Sequence, residues 1–489
     1  MAGGINGKPA EKRPLISVLM ANFRSAPFLP QALESVLSQT VRDLELIVSD
    51  DASPDESTAI VQRFMAADSR VRLIAAEKNS GPGAARNRAL EAARGEWIAV
   101  VDSDDIIHPQ RFEILLAAAQ ALNADGIADD LLFFSDSGGG GTLLGETAGS
   151  EARLISPAYF VRSNTSGSGL PPLGYLKPLM KREKLGSLRY DEGVRIGEDY
   201  DFLLRFLFRG GRFFLFPELL YLYRRHSQSI SHRLSESTVK AMIANQEALV
   251  AETGALPAEI EDLLAKRMSA LRSALSFERL VLAIKQRRPL DALKLLGTNP
   301  RLVLPLAKAI SENLQSRLKR STAPEKRGPR AVALGDQDRP PNADALHAAL
   351  GFSHNIEAIT VPPYVAAMDR KPTGGKARAL QLRLVELAMR SQLDIVCYGL
   401  SGLYASGFLP RKQMAAVVVQ KGEELAPIRE WLASSPAQLI LADDILDRVS
   451  PDLETEAFCP GYHLVRPKEA RPLTGRTRKA TKRTTAARA

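Results

Sequence analysis

Apolar and polar positions alternate along the first part of the chain in two different periods. Residues 15–20, 44–49, 71–74 and 97–101 are short, mainly apolar runs rich in Ile, Val and Leu, the last of them unbroken. Runs of that length and composition are the mark of strands buried on both faces. Between them the apolar positions repeat with helical spacing. Leu29, Ala32, Leu33, Val36 and Leu37 follow Pro27 and Pro30, a second helix runs through residues 58–65, and a third through residues 84–90 behind Gly81-Pro82-Gly83. Pro at the start of a helix fits its missing N–H. A fourth helix follows Pro109, with Phe112, Leu115 and Leu116 inward. This alternation predicts an α/β fold whose parallel sheet carries helices on both faces. Gly-rich residues 135–151 and residues 164–174 read as surface loops. Beyond them lie an apolar helix (Phe202, Leu203, Phe206, Leu207) and apolar strands over residues 213–217 and 219–223.

From Val239 to Arg320 the pattern is helical, with segments over residues 251–271, 277–286, 290–296 and 302–318. Phe277, Leu280, Val281 and Ile284 form an apolar stripe beside Arg279, Lys285, Arg287 and Arg288. Such a stripe packs on a neighbouring domain or lies on a membrane surface. Residues 331–465 read as a separate α/β unit, with strands over residues 331–334, 356–361, 395–398, 415–419 and 439–441 and helices such as 377–390 and 424–433. No Gly-rich nucleotide loop or nucleophile elbow is present there. The expected organisation is a disordered stretch 1–13, an α/β domain 14–235, a helical extension 236–316, a linker 317–330, the second α/β domain 331–465 and a basic, disordered tail 466–489.

The net charge of +9 sits almost wholly in that tail, where nine Lys or Arg face one acid, Glu469. Residues 1–465 are close to neutral, which argues against a specific nucleic-acid binder; the tail itself suits contact with an anionic membrane, with nucleic acid, or with neither. Cys397 and Cys459 are the only cysteines and form neither a metal spacing nor a disulfide framework, as expected in a reducing compartment. With no apolar leader and no long apolar run, the expectation is a cytoplasmic protein, peripheral at the inner face of the membrane.

The candidate chemistry lies where strands end. The second strand runs into Asp50-Asp51, and the fourth into Asp102, Asp104 and Asp105. Strand ends at the carboxyl edge of an open α/β sheet are where ligands bind. Asp102 and Asp104 are two apart and point the same way while the chain stays extended. Hard oxygen ligands of this kind suit Mg²⁺ or Mn²⁺, which suits a diphosphate. Asp51 can accept hydrogen bonds from a base or ribose. Arg86, at a helix start, can meet a phosphate or form an ion pair. Glu198, Asp199 and Asp201 open the apolar helix after Gly197; one acid suffices as a cap, and another is a candidate general base. His226 follows an apolar strand among hydroxyls and can serve a metal or phosphate.

Taken in order, ISVLMANF, SVLSQTVRDLELIVSDDASPD, NSGPGAARNRAL, GEWIAVVDSDD, GEDYDFLLR and YRRHSQSIS resemble the catalytic domain of glycosyltransferase family 2, with its GT-A fold, over residues 14–235. Within the family the chain is similar to bacterial exopolysaccharide enzymes of the succinoglycan type. The resemblance implies an inverting transfer of a hexose from a nucleotide-diphosphate donor, a UDP-sugar, to a glycan or lipid-linked acceptor in cell-surface polysaccharide synthesis. It implies Asp51, Arg86, Asp102 and Asp104 for the sugar nucleotide, with Asp102, Asp104 and His226 toward Mn²⁺ or Mg²⁺ and Asp105 the next candidate. Asp199 matches the catalytic base, and residues 164–174 the acceptor side. Ala21 departs from a common hydroxyl, and Arg24 from a common Asn.

Two other classes compete. A sugar nucleotidyltransferase shares a sheet of this kind but needs a Gly-rich basic loop after the first strand, and residues 21–29 hold no Gly. A non-catalytic scaffold would not need the intact set Asp51, Asp102, Asp104 and Asp199.

Overall fold

Strand β1 (Ile16–Asn22) is buried at six of its seven positions and takes a partner on each side. Parallel β2 (Leu44–Asp50), buried throughout, lies along one edge; parallel β4 (Trp97–Val100) lies along the other. The computed structural model describes residues 13–135, 138–145, 151–226, 235–304, 306–307, 331–335, 346, 348–350, 356–360, 394–398, 414–419, 438–442, 453–459 and 462–467. Described residues up to 307 belong to one compact unit and those from 331 onward to a second.

In the first unit β3 (Val71–Ala75) continues the parallel set beyond β2. Helices α1 (Leu29–Leu37), α2 (Ser57–Ala67) and α3 (Pro82–Ala92) alternate with these strands, and α3 packs on β1 and β2. After β4 come β5 (Ile106–Ile107), α4 (Arg111–Ala121), β6 (Gly126–Ser135), β7 (Gly138–Thr142), β8 (Arg153–Leu154), α5 (Pro157–Ser163), β9 (Leu179–Lys181), α6 (Arg182–Leu185), α7 (Glu198–Phe208) and β10 (Phe213–Arg224). The main path of the sheet is β3-β2-β1-β4-β9-β6-β10-β5, with β7 on β6 and β8 on β10. Strand β9 runs antiparallel to both β4 and β6, so this is the Rossmann-like mixed sheet that the family resemblance implies. The strand order reverses at β1, which puts the carboxyl ends of β1, β2 and β4 around one crevice. This is the GT-A architecture.

Strands β6 and β7 are among the elements that were not expected. Strand β6 carries Asp129 and Asp130 in its middle, which hides it in the sequence. Both are buried, because the Arg111 guanidinium, itself fully buried, grips Asp129 at 2.7 and 3.0 Å, and Asp130 accepts from the Leu131 and Leu144 N–H groups. Burial nonetheless pushes the Asp129 carboxyl up, against the pull of Arg111. The Gly-rich stretch expected to be a loop holds β7, paired antiparallel with the end of β6; glycines carry no side-chain alternation to betray a strand.

The extension begins with α8 (Glu236–Thr253), stopped at Gly254. It continues in α9 (Ala258–Lys285), one helix where two segments were expected, and α10 (Pro289–Thr298). Helix α9 packs on α5, α8 and α10. The Phe277–Leu280 side of its stripe turns onto α10 and Leu302. No helix among the described residues is long and apolar enough to cross a membrane.

The second unit is a seven-stranded sheet. It comprises β11 (Ala331–Gly335), β12 (Ile356–Thr360), β13 (Asp394–Tyr398), β14 (Met414–Val419), β15 (Gln438–Ala442), β16 (Leu453–Cys459) and β17 (Tyr462–Pro467), in the order β12-β11-β13-β14-β15-β17-β16. The first five strands pair in parallel; β17 is antiparallel to β15 and to β16. Strands β16 and β17 were not expected, and β17 takes in Arg466 and Pro467 from the segment assigned to the tail. The expected helices over residues 377–390 and 424–433, and the tail beyond Pro467, lie outside the described residues.

Candidate active site

The carboxyl ends of β1, β2 and β4, the N-termini of α3 and α7, and the end of β10 surround a cleft of about 1250 Å³. Asp51, Arg86, Asp102, Asp104, Asp199 and His226 all line it. Residues far apart in sequence thus meet in one place.

At the β2 edge the Asp50-Asp51 pair divides its work. Asp50 accepts from Asn22 Nδ2 at 2.6 Å and from the Ser53 N–H at 2.9 Å, closing the loop beside it. Asp51 accepts from the Ser80 N–H, from the Gly81 N–H at 2.7 Å and from Arg88 Nη2 at 2.7 Å. Gly81 has φ +97°, open to glycine, and Pro82 starts α3 directly after it. Asp51 therefore anchors the entry to α3 while still bordering the cleft.

Below β4 the three acids part company. Asp105 is 1 % exposed; it accepts from Tyr221 Oη and from the Arg224 N–H, each at 2.7 Å. Burial, then Asp104 and Asp102, push its carboxyl well above the ordinary range, and it acts as a brace to β10. Asp102 and Asp104 border the cleft. Asp104 Oδ2 lies 2.8 Å from His226 Nε2, whose ring packs against Phe28. Asp102 accepts from Arg86 Nη2 at 2.9 Å and pairs with Lys177 Nζ at 2.8 Å.

Those two cations define the electrostatics. Arg86 is 4 % exposed and reaches Asp102, Glu198 at 2.8 Å and Asp199 at 3.1 Å. Lys177, also 4 % exposed, joins Asp102 to Asp199 at 2.9 Å. Burial alone would raise the Asp102 carboxyl, but Lys177 and Arg86 outweigh it and hold it well below the usual carboxylate range. Burial would lower Lys177, but Asp102 and Asp199 hold its ammonium well above its ordinary value. Burial and then Asp199 push Glu198 up. The acids opening α7 take two roles, and none of them caps the helix. Gly197, at φ +94°, makes the N-cap. Glu198 and Asp199 bind the cations, and Asp201 pairs one turn on with Arg205 at 2.8 Å.

A divalent cation fits here by its donors. Asp102, Asp104 and Asp105 offer carboxylate oxygens within 4.8 Å of one another. Asp105 is buried outside the cleft lining, which leaves Asp102 and Asp104, both on the cleft, as the hard ligands that Mn²⁺ or Mg²⁺ requires. His226 is held on Asp104.

Sequence reasoning missed Lys177. Its one signal is a charge inside the apolar segment Tyr175 to Met180, where a buried cation demands a partner. It also missed Tyr221, which read as an ordinary strand residue, and Arg224, which lay just past the expected strand. Arg86, read as facing a phosphate or an ion pair, sits in the ion-pair role.

Residues 17–170 match the family model for glycosyl transferase family 2. Together with the relative below, this shows that the chain belongs to glycosyltransferase family 2. The succinoglycan biosynthesis protein ExoO of Rhizobium meliloti (strain 1021) is 35% identical over 333 residues, 68% of this chain and 95% of that protein. ExoU of the same organism, also a succinoglycan biosynthesis protein, is 33% identical over 229 residues, 45% of this chain and 65% of that protein. The crystal structure of S. aureus TarS 1-349 in complex with UDP-GlcNAc is similar with a TM-score of 0.46 and 20% identity, over 59% of this chain and 81% of that one.

Proposed function

We propose that the protein is an inverting, metal-dependent glycosyltransferase. It moves a hexose from a nucleoside-diphosphate sugar, a UDP-sugar, to a hydroxyl of a glycan or lipid-linked acceptor in exopolysaccharide synthesis. The observation that carries this reading is the meeting in one cleft of Asp102 and Asp104 with Asp199, coupled by two buried cations. Asp102 and Asp104, with His226 behind Asp104, would hold Mn²⁺ or Mg²⁺, which supplies charge neutralisation for the diphosphate when bound. Arg86 and Lys177 orient the Asp199 carboxylate, one on each oxygen. Asp199 takes the proton of the acceptor hydroxyl as that oxygen bonds to the anomeric carbon. The bond to the diphosphate breaks with inversion, and the nucleoside diphosphate leaves with the electron pair. Asp51 and the α3 entry it braces form the nucleotide side.

The test is nucleoside diphosphate release from a panel of UDP-, GDP- and dTDP-sugars with Mn²⁺. Release from one donor, abolished by EDTA and in Asp104→Ala, supports the reading. Absence of both release and nucleotide binding by calorimetry overturns it.

We place the enzyme in the cytoplasm, peripheral at the membrane's inner face. Leu290 (80 % exposed), Leu293 (64 %) and Leu304 (78 %) stand out from α10 and the turn after it, among Lys285, Arg287, Arg288, Lys294 and Arg301. Apolar side chains flanked by cations suit an anionic lipid surface. Vesicles with anionic lipid should bind the wild type at low salt and bind Leu290→Ser/Leu293→Ser less. Equal binding of the two proteins refutes the contact.

A further inference from the structure

The extension is not merely appended to the catalytic unit: α8 and α9 reach the cleft. Met242 of α8 and Arg267 of α9 line it beside Tyr200, Asn164 and Gly174. Tyr200 follows Asp199 directly on α7. Its ring stacks on Phe160 at 5.5 Å with the planes 9° apart, and the Arg267 guanidinium carbon lies 3.8 Å from its centroid. Asn164 Oδ1 accepts from the Gly174 N–H at 2.8 Å, and a Cβ at Gly174 would meet Asn164 Oδ1 at 2.8 Å and Tyr200 Cβ at 3.3 Å. One end of the cleft is thus built from α5, α7, α9 and the segment between Asn164 and Gly174.

Arg267 is unusual there. It is 5 % exposed, donates Nη1 to Gln246 Oε1, and makes no ion pair among the described residues; its Nε is buried without a hydrogen bond. The Tyr200 hydroxyl is likewise buried with no partner. Burial pulls the Arg267 guanidinium down, opposed in part by Tyr200 and Asp201, and pushes the Tyr200 phenol up to about 12, so the phenol stays a donor. A buried guanidinium is normally matched by an anion, because desolvation without a counter-charge is costly. Arg86, Arg111 and Lys177, three other deeply buried cations of this unit, each hold carboxylates, and Arg224 donates to the Asp104 carbonyl and to Gln31 Oε1. Stacking on Tyr200 alone needs no opening into a cleft.

We infer that Arg267, with the Tyr200 hydroxyl, forms an acceptor subsite for an anionic group, a carboxylate or a phosphate, one residue along α7 from the proposed base. The inference rests on the transferase reading, in which the acceptor enters beside Asp199. It assigns to the helical extension a part in choosing the acceptor. Both a uronic-acid carboxylate on a glycan and the phosphate of a lipid-linked acceptor carry the required charge.

The test uses the full chain loaded with UDP and Mn²⁺, and calorimetry with methyl glucuronoside against methyl glucoside, and octyl phosphate against octyl glucoside. One anionic probe should bind at least ~10-fold more tightly than its neutral twin. Arg267→Met should abolish that preference, while Arg267→Lys, which keeps the charge, retains part of it. Thermal melts of both variants establish that they are folded. The probe that wins tells a glycan acid from a phosphate. Equal binding of charged and neutral probes, binding of neither, or a preference that survives Arg267→Met overturns the inference. A donor turnover assay on the same protein is independent of this outcome: if it fails, the transferase reading falls; if it succeeds while the preference is absent, only the subsite does.

Discussion

Asp199→Asn preserves shape and removes charge, and the surroundings of Asp199 set what should follow. Its Oδ1 lies 3.1 Å from Arg86 Nη1 and its Oδ2 2.9 Å from Lys177 Nζ. Neither cation is stranded by the change: Lys177 keeps Asp102 at 2.8 Å, and Arg86 keeps Asp102 and Glu198. The structural cost is therefore that of weakened charged hydrogen bonds, about 1.5–3 kcal/mol of stability, rather than that of a lone buried charge. The chemical cost of losing a general base is roughly 10²–10⁴ in kcat, or about 3–5 kcal/mol in the barrier. Lys177→Met breaks the same contact but leaves the base. Nucleoside diphosphate release should then show Asp199→Asn losing kcat with donor KM little changed, and Lys177→Met altering donor KM and the metal concentration required. The double variant would lose kcat beyond Lys177→Met alone. If Asp199→Asn kept more than about a tenth of wild-type turnover, Asp199 would not be the base. If the two single variants and the double all lost the same kcat, Asp199 would act only as the partner of Lys177.

Three further outcomes concern the frame around the site. Glu45 is 3 % exposed; burial opposes its ionisation, but Ser17 Oγ at 2.6 Å, the Arg94 N–H at 2.8 Å and the Arg72 guanidinium at 2.9 Å bring its carboxyl below the ordinary value. A depressed carboxylate stabilises above its unfolded pKa and ceases to as pH falls through its folded one. Glu45→Gln should thus cost roughly 1–3 kcal/mol near neutral pH, with the gap to wild type closing in acid, as read by urea unfolding across pH; a gap independent of pH contradicts the assignment. Gly95→Ala would set a Cβ 2.4 Å from the Ser17 N and 2.8 Å from the Ile16 carbonyl carbon, both backbone of β1. A loss of about 1–3 kcal/mol in the same assay is expected, and an unchanged midpoint would refute the close approach. Arg24 holds φ +58°, a left-handed conformation that Asn tolerates better than Arg. Arg24→Asn should raise stability by about 0.5–1 kcal/mol, and a drop would show that its contact with Phe23 outweighs the strain.

The chain itself determined the parallel core. β1, β2 and β4 are legible because a strand buried on both faces is mainly apolar along its length, β3 because Val71, Leu73 and Ile74 cluster, and α1 and α3 because Pro and helical spacing mark them. It also determined that acids gather at one sheet edge, since each follows such a strand directly. What it could not carry was partnership. Asp129 and Asp130 hide β6 in the sequence, and only Arg111 and the β6 pairing make their burial tolerable. Asp102, Asp104 and Asp105 were alike until the turn after Val101 sent Asp105 to Tyr221 and the other two to the cleft. Lys177 and Arg267 gained meaning only when chain folding brought them to Asp102, Asp199 and Tyr200. The division has one physical cause. Periodic burial is written locally, one residue after another, whereas the worth of a buried charge depends on a counter-charge that may be a hundred residues away and that only the tertiary fold brings near.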